Sequence, residues 1–139
     1  MSYWLFKSEP DVFSFDMLKK KGKAGEEWTG VRNFLARNNM RTMKVGDRGF
    51  FYHSNEGKEI VGIVEVAKAA HPDSTDDTGK WECVDIRAIK DVPKPITLAV
   101  VKSTPKLAKM SLVTSARLSV QPVTDAEWKL ICDMGEVSL

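Results

Sequence analysis

A chain of 139 residues is long enough for one domain with a real hydrophobic core. Hydrophobic residues make up 42% and charged residues 29%, an ordinary globular balance, and no apolar run approaches the roughly 20 residues of a membrane-spanning helix. The formal net charge of +2 argues against holding duplex DNA by bulk phosphate neutralisation, which needs a dense basic face.

Residues 2–8 alternate as a strand that Glu9-Pro10-Asp11 ends, and Phe13 to Leu18 begin a short helix with Ser14 as N-cap. The Lys- and Gly-rich stretch 19–27 reads as a loop; its Lys19-Lys20-Lys21-Gly22-Lys23 is the sole basic cluster, solvated surface or a phosphate contact. Val31, Phe34, Leu35 and Met40 recur at helical spacing. They predict a helix over 31–41 that starts just after Gly30, with its first backbone N–H groups free to face a ligand. After a turn at Val45-Gly46-Asp47, residues 48–54 and 59–69 form two strands joined by the hairpin signal Asn55-Glu56-Gly57-Lys58. The second strand is nearly all apolar from Ile60 to Val66, as expected of a central strand. Gly62 within it allows a bulge or the close approach of another backbone.

A polar loop at 73–79 precedes a strand over 81–89, Pro93 and Pro95 mark a further connection, and 96–112 reads as short helical turns divided by Pro105. Residues 117–123 alternate as a strand. Thr124-Asp125-Ala126-Glu127 is a capping box opening a last helix to about Met134. With no repeat or linker, 1–139 is one domain. The order of elements predicts an α+β fold whose mostly antiparallel sheet curls into a barrel flanked by short helices.

Enzyme chemistry finds little support. His53 and Ser54 are adjacent on a strand and point to opposite faces, so they cannot readily share a proton. The chain carries no Gly-x-Ser-x-Gly, P-loop or Gly-x-Gly-x-x-Gly pattern. Two distant His and two distant Cys give no metal-ligand spacing, so neither a metal nor a cofactor is expected; Cys83 and Cys132 read as buried thiols. What the chain does offer is Trp28-Thr29-Gly30-Val31-Arg32-Asn33 and, about twenty residues on, Phe50-Phe51-Tyr52-His53-Ser54. An aromatic plane with a few directional polar groups can hold a planar heterocycle by stacking and edge hydrogen bonds.

Several segments in order resemble the EVE domain of the PUA-like superfamily. They are Tyr3-Trp4-Leu5-Phe6-Lys7-Ser8-Glu9-Pro10, Trp28-Thr29-Gly30-Val31-Arg32-Asn33, Ala36-Arg37-Asn38 with Met40, Gly46-Asp47, Phe51-Tyr52-His53-Ser54, Gly62-Ile63, Pro72-Asp73 and Arg117-Leu118-Ser119-Val120-Gln121-Pro122-Val123. The resemblance implies a PUA-like bent β-barrel flanked by short helices. It also implies kinship with YTH domains, which take a methylated adenine into an aromatic cage. For EVE domains it implies a modified base as ligand, with 5-methylcytosine and 5-hydroxymethylcytosine as candidates.

The expected function is therefore a non-catalytic module that binds nucleic acid, DNA or RNA, through one modified base. A small-molecule or protein-interaction domain, or an accessory to a nucleic-acid-modifying enzyme, is the competing reading. Trp28 is expected to stack on the base, against the plainer reading of core packing; Asn33, Ser54 and Ser119 supply polarity, and Lys7, Arg32 and Arg117 hold the backbone. Ser8 lines the same cavity or finishes an edge, and His53 is a ligand contact or a satisfied strand histidine. Asp73 beside Pro72 reads as a turn former. The chain offers no leader-like segment at its start, so a cytoplasmic protein away from membranes is expected; separately, a monomer is the expectation, with the oligomeric state left open by the sequence.

Overall fold

The computed structural model describes residues 1–138. In chain order they form β1 (Tyr3–Ser8), α1 (Phe15–Lys20), β2 (Glu26–Glu27), α2 (Phe34–Thr42), β3 (Arg48–His53), β4 (Glu59–Pro72) and β5 (Glu82–Thr97). There follow α3 (Leu98–Ser103), α4 (Ser111–Thr114), β6 (Val120–Val123) and α5 (Asp125–Met134), with 3-10 turns at Gly22–Ala24 and Pro105–Leu107. The six strands make one sheet in the order β2-β5-β4-β3-β1-β6, parallel only between β1 and β3.

Alternation along the central strands builds two cores, one on each face of the sheet. Trp4, Phe6 and Phe51 join a cluster with Phe15 and Leu18 of α1, Ala36 and Met40 of α2, and Trp28. Leu5, Phe50 and Tyr52 join the other, with Val101 of α3, Leu112 of α4, and Trp128 and Ile131 of α5. Burial on both faces is why Phe50-Phe51-Tyr52 runs apolar without a polar interruption. Gly62 faces the Phe15 ring so closely that a Cβ would collide with it. The close approach expected at Gly62 is thus made by a side chain, and the β4–β5 register also shifts there.

The α+β expectation stands, but the sheet does not close into a barrel. Its two edges, β2 and β6, do not pair with each other. The position a closing strand pair would occupy is taken by α2, which packs against both β5 and β6. From α2, Asn39 Nδ2 donates to the Val120 carbonyl at 2.8 Å, satisfying part of the β6 edge. The predicted connection at Pro93 and Pro95 is instead the interior of β5. The register skips from Gly62–Asp91 to Ile60–Ile96, so the prolines sit where the ladder requires no donor.

Local signals place most elements well. Ser14 caps α1 through the Met17 N–H, and Thr124 and Glu127 form the capping box of α5. Stretch 19–27 is not all loop, since it holds the 3-10 turn and β2. The second helix begins at Phe34 rather than after Gly30, and Asn33 is its N-cap. Gln121 of the last strand is fully buried. Its side-chain amide donates to the Ser111, Ser115 and Leu118 carbonyls, pinning that segment to β6. Both cysteines are free and buried.

Candidate functional site

A cleft of about 630 Å³ opens where the end of β1, the segment from β2 to Arg32, the β4–β5 loop and the residue before β6 converge. That volume suits a small planar ligand. Its aromatic wall is Trp28, only 8% exposed. Phe6 lies behind the indole at 5.8 Å and 28°, while Phe13 and Phe51 meet it edge-on at 6.0 and 5.7 Å. Trp28 is therefore a core residue that also lines the cleft.

The polar rim is organised by Asp73, which is almost wholly buried. Its Oδ2 accepts from the Gly30 N–H at 2.9 Å and from Arg32 Nη1 at 3.2 Å; its Oδ1 accepts from the Thr75 N–H and hydroxyl at 2.7 and 2.6 Å. Gly30 supplies the turn with a φ of 82°, a conformation that suits glycine. Burial works against the Asp73 charge, but those hydrogen bonds outweigh it and hold the carboxyl below its ordinary range. Arg32 also donates from Nη2 to the Thr75 hydroxyl at 3.2 Å, so one carboxylate locks the 28–32 and 73–75 loops together.

Opposite, the Lys7 ammonium donates to the Ala116 carbonyl at 2.7 Å, and burial pulls its pKa down. Glu27 accepts from the Ser74 N–H and hydroxyl, both at 3.0 Å, and the Ser74 N–H chiefly holds that carboxyl below its usual range. Glu9 and Glu26 add carboxylates to the lining, so the rim is mixed in sign.

Of the residues singled out in the sequence, Lys7, Ser8, Trp28, Arg32 and Ser119 line this cleft; Asn33, His53, Ser54 and Arg117 do not. Asn33 spends its Oδ1 on the Ala36 N–H at 2.9 Å. His53 Nε2 accepts from the Phe15 N–H at 3.1 Å, answering a backbone donor that α1 leaves unpaired, and burial lowers its pKa in keeping with a neutral ring. Ser54 pairs by its backbone N–H with the Ser8 carbonyl at 2.9 Å. Arg117 is exposed beside the turn in which the Leu118 N–H bonds the Ser115 carbonyl. The Ser8 hydroxyl itself donates to the Phe13 carbonyl at 2.6 Å.

Sequence reasoning missed Glu26, Glu27, Ser74 and Thr75 in the lining, and Asp73 beneath it. Only the Asp73-Ser74-Thr75 run carried a local signal, that of a side chain bonding its own backbone two residues on. Spacing also hid Glu27, His71 and Cys83, whose ligand atoms lie within 4.8 Å of one another. As they stand these are poor metal ligands. His71 has Nε2 at 2.7 Å from Asp85 and Nδ1 at 3.0 Å from the Pro72 carbonyl, and burial pushes the Cys83 thiol up to about 12.

The family model described as EVE domain matches residues 2–134. Human thymocyte nuclear protein 1 is 35% identical over 167 residues, covering 97% of this chain and 74% of that protein. The crystal structure of Atu2648 from Agrobacterium tumefaciens is 64% identical with a TM-score of 0.96, covering 97% of this chain and 93% of that one. The crystal structure of human THYN1 protein in complex with 5-methylcytosine-containing DNA is 35% identical with a TM-score of 0.92, covering all of both chains. A Zygosaccharomyces rouxii YTH domain shares the fold at 19% identity and a TM-score of 0.57, over 96% of this chain and 86% of that one. These likenesses support the PUA-like character of the fold.

Proposed function

The chain belongs to the EVE domain family, and from that premise we propose that it is a non-catalytic reader of nucleic acid that takes one modified base, 5-methylcytosine foremost, into the cleft over Trp28. The observation that carries this reading is Trp28 lining a cleft beside a rim of fixed hydrogen-bonding groups, in a fold whose human relative was crystallised with 5-methylcytosine-containing DNA. The indole stacks on the base. Carboxylates at the rim, Glu27 foremost, accept from an exocyclic amine such as N4 of cytosine, which an oxygen-edged thymine lacks. Lys7 and Arg32 stand at the mouth to meet sugar or phosphate.

Extruding a paired base costs a few kcal/mol, so an unpaired target binds more readily than a duplex. A methyl group alone discriminates by about tenfold, since one such group in an apolar pocket is worth ~1–3 kcal/mol. The test is a binding panel at fixed salt. It comprises DNA and RNA oligonucleotides, single- and double-stranded, carrying cytosine, 5-methylcytosine, 5-hydroxymethylcytosine or N6-methyladenine. Preference for a modified cytosine by about tenfold is expected; a flat panel overturns the reading.

A further inference from the structure

Beside the cleft, the first turn of α2 exposes two large apolar side chains, Phe34 at 55% and Leu35 at 57%. Phe34 is not loose. Its ring stacks on Trp81 at 4.9 Å and 25°, and the Arg37 guanidinium, one turn on, lies 4.9 Å from the Phe34 centroid and 5.7 Å from that of Trp81. The guanidinium thus lies beside both rings, while more than half of Phe34 stays exposed.

The pair is continuous with the cleft. Arg32, a lining residue, sits 5.6 Å from the Trp81 centroid while bonded to Asp73. Trp81 is itself fixed from behind, its N–H donating to Asp76 at 2.9 Å and its carbonyl accepting from the Asp73 N–H at 3.1 Å. Among the described residues Arg37 has no carboxylate partner; its hydrogen bonds go to the Asn38 side-chain oxygen and the Lys80 carbonyl. Its charge is thus uncompensated at the edge of a preorganised aromatic face.

We propose that the Phe34–Trp81 pair is a second stacking surface, which takes the nucleobase next to the one held over Trp28 on the same strand while Arg37 meets the phosphate of that nucleotide. This inference rests on the reading of the cleft given above. The partner follows from chemistry: an exposed aromatic ring with a guanidinium beside it suits a base and its phosphate. Two aromatic surfaces joined by Arg32 suit consecutive nucleotides rather than a free nucleoside. A peptide or a second copy of this chain would use Leu35 and Phe34 as a plain apolar patch, without regard to bases.

The test pairs a protein variant with a substrate lesion. Wild type and Phe34→Ala are titrated with a single-stranded DNA carrying one 5-methylcytosine, and with the same strand made abasic at the positions flanking it. On the intact strand Phe34→Ala is expected to bind about fivefold or more weakly, the low end of what base–aromatic stacking is worth. On the flanked-abasic strand the two proteins should bind alike. A variant that matches wild type on the intact strand, or loses the same factor on both strands, overturns the proposal. Should Phe34→Ala melt well below wild type, Phe34→Leu keeps Trp81 covered without an aromatic face and must show the same strand dependence. If wild type itself fails to prefer the 5-methylcytosine strand over its unmodified twin, the cleft reading falls and takes this one with it. That outcome is distinct from a cleft that works beside an inert Phe34.

Discussion

Trp28 packs in the core and, in the proposed reading, also stacks on the base, so the two duties must be separated by the choice of substitution. Removing a buried Trp costs about 3–5 kcal/mol through lost transfer energy and the cavity left behind, so Trp28→Ala should lower the melting temperature as well as binding. Trp28→Phe retains packing against Phe6 and Phe51 but shortens the side chain proposed to meet the base. It is expected to weaken binding of a 5-methylcytosine strand several-fold with a much smaller thermal shift, which titration beside a melting curve would show. His71 makes a second prediction at this scale. Its hydrogen bond to Asp85 chiefly raises its pKa. A raised folded pKa means that the pair's stabilisation is fully present below the unfolded value of about 6.5 and is lost as pH climbs through the folded one. A melting series across that window should fall with rising pH in wild type and flatten in His71→Gln.

At the scale of the element, α2 decides much of the site. Its start at Phe34 turns Asn33 from a base-edge candidate into a cap whose Oδ1 is already bonded. Asn33→Ala is therefore expected to cost about 1 kcal/mol of stability, while Asn33→Ser recovers most of it, since serine caps nearly as well. Denaturant melts of the two variants check this. A large binding loss in Asn33→Ser with stability intact would return the residue to the ligand. The same helix, placed between β5 and β6, is what leaves the sheet open. Its last turn faces β5, where Arg41 is bonded to Glu82 at the strand's first residue.

Across the whole molecule the charge is nearly balanced, +2 in total, and the cleft has carboxylates as well as Lys7 and Arg32. Affinity should then depend on the pocket more than on counterion release. The slope of log K against log salt for a single strand is expected to be shallow, about −1 to −2, as for two or three phosphates contacted. A much steeper slope in a salt titration would mean that the basic cluster near Lys19–Lys23 is engaged instead. Much of the architecture is readable from the chain because it rests on short-range rules. Ser14 and Thr124 cap helices a few residues away, and Phe50 to Tyr52 alternate between two cores by the pleat alone. The segments that resemble the EVE domain are likewise local strings, and they pointed to the right family. Asp73 gathering Gly30 and Arg32 across more than forty positions, His53 answering Phe15, and α2 standing where a barrel would close have no signature in the neighbouring residues. A hydrogen bond to a residue three positions on is set by backbone geometry that any local stretch can specify, whereas a cleft walled by four separate segments exists only once the sheet has brought them together.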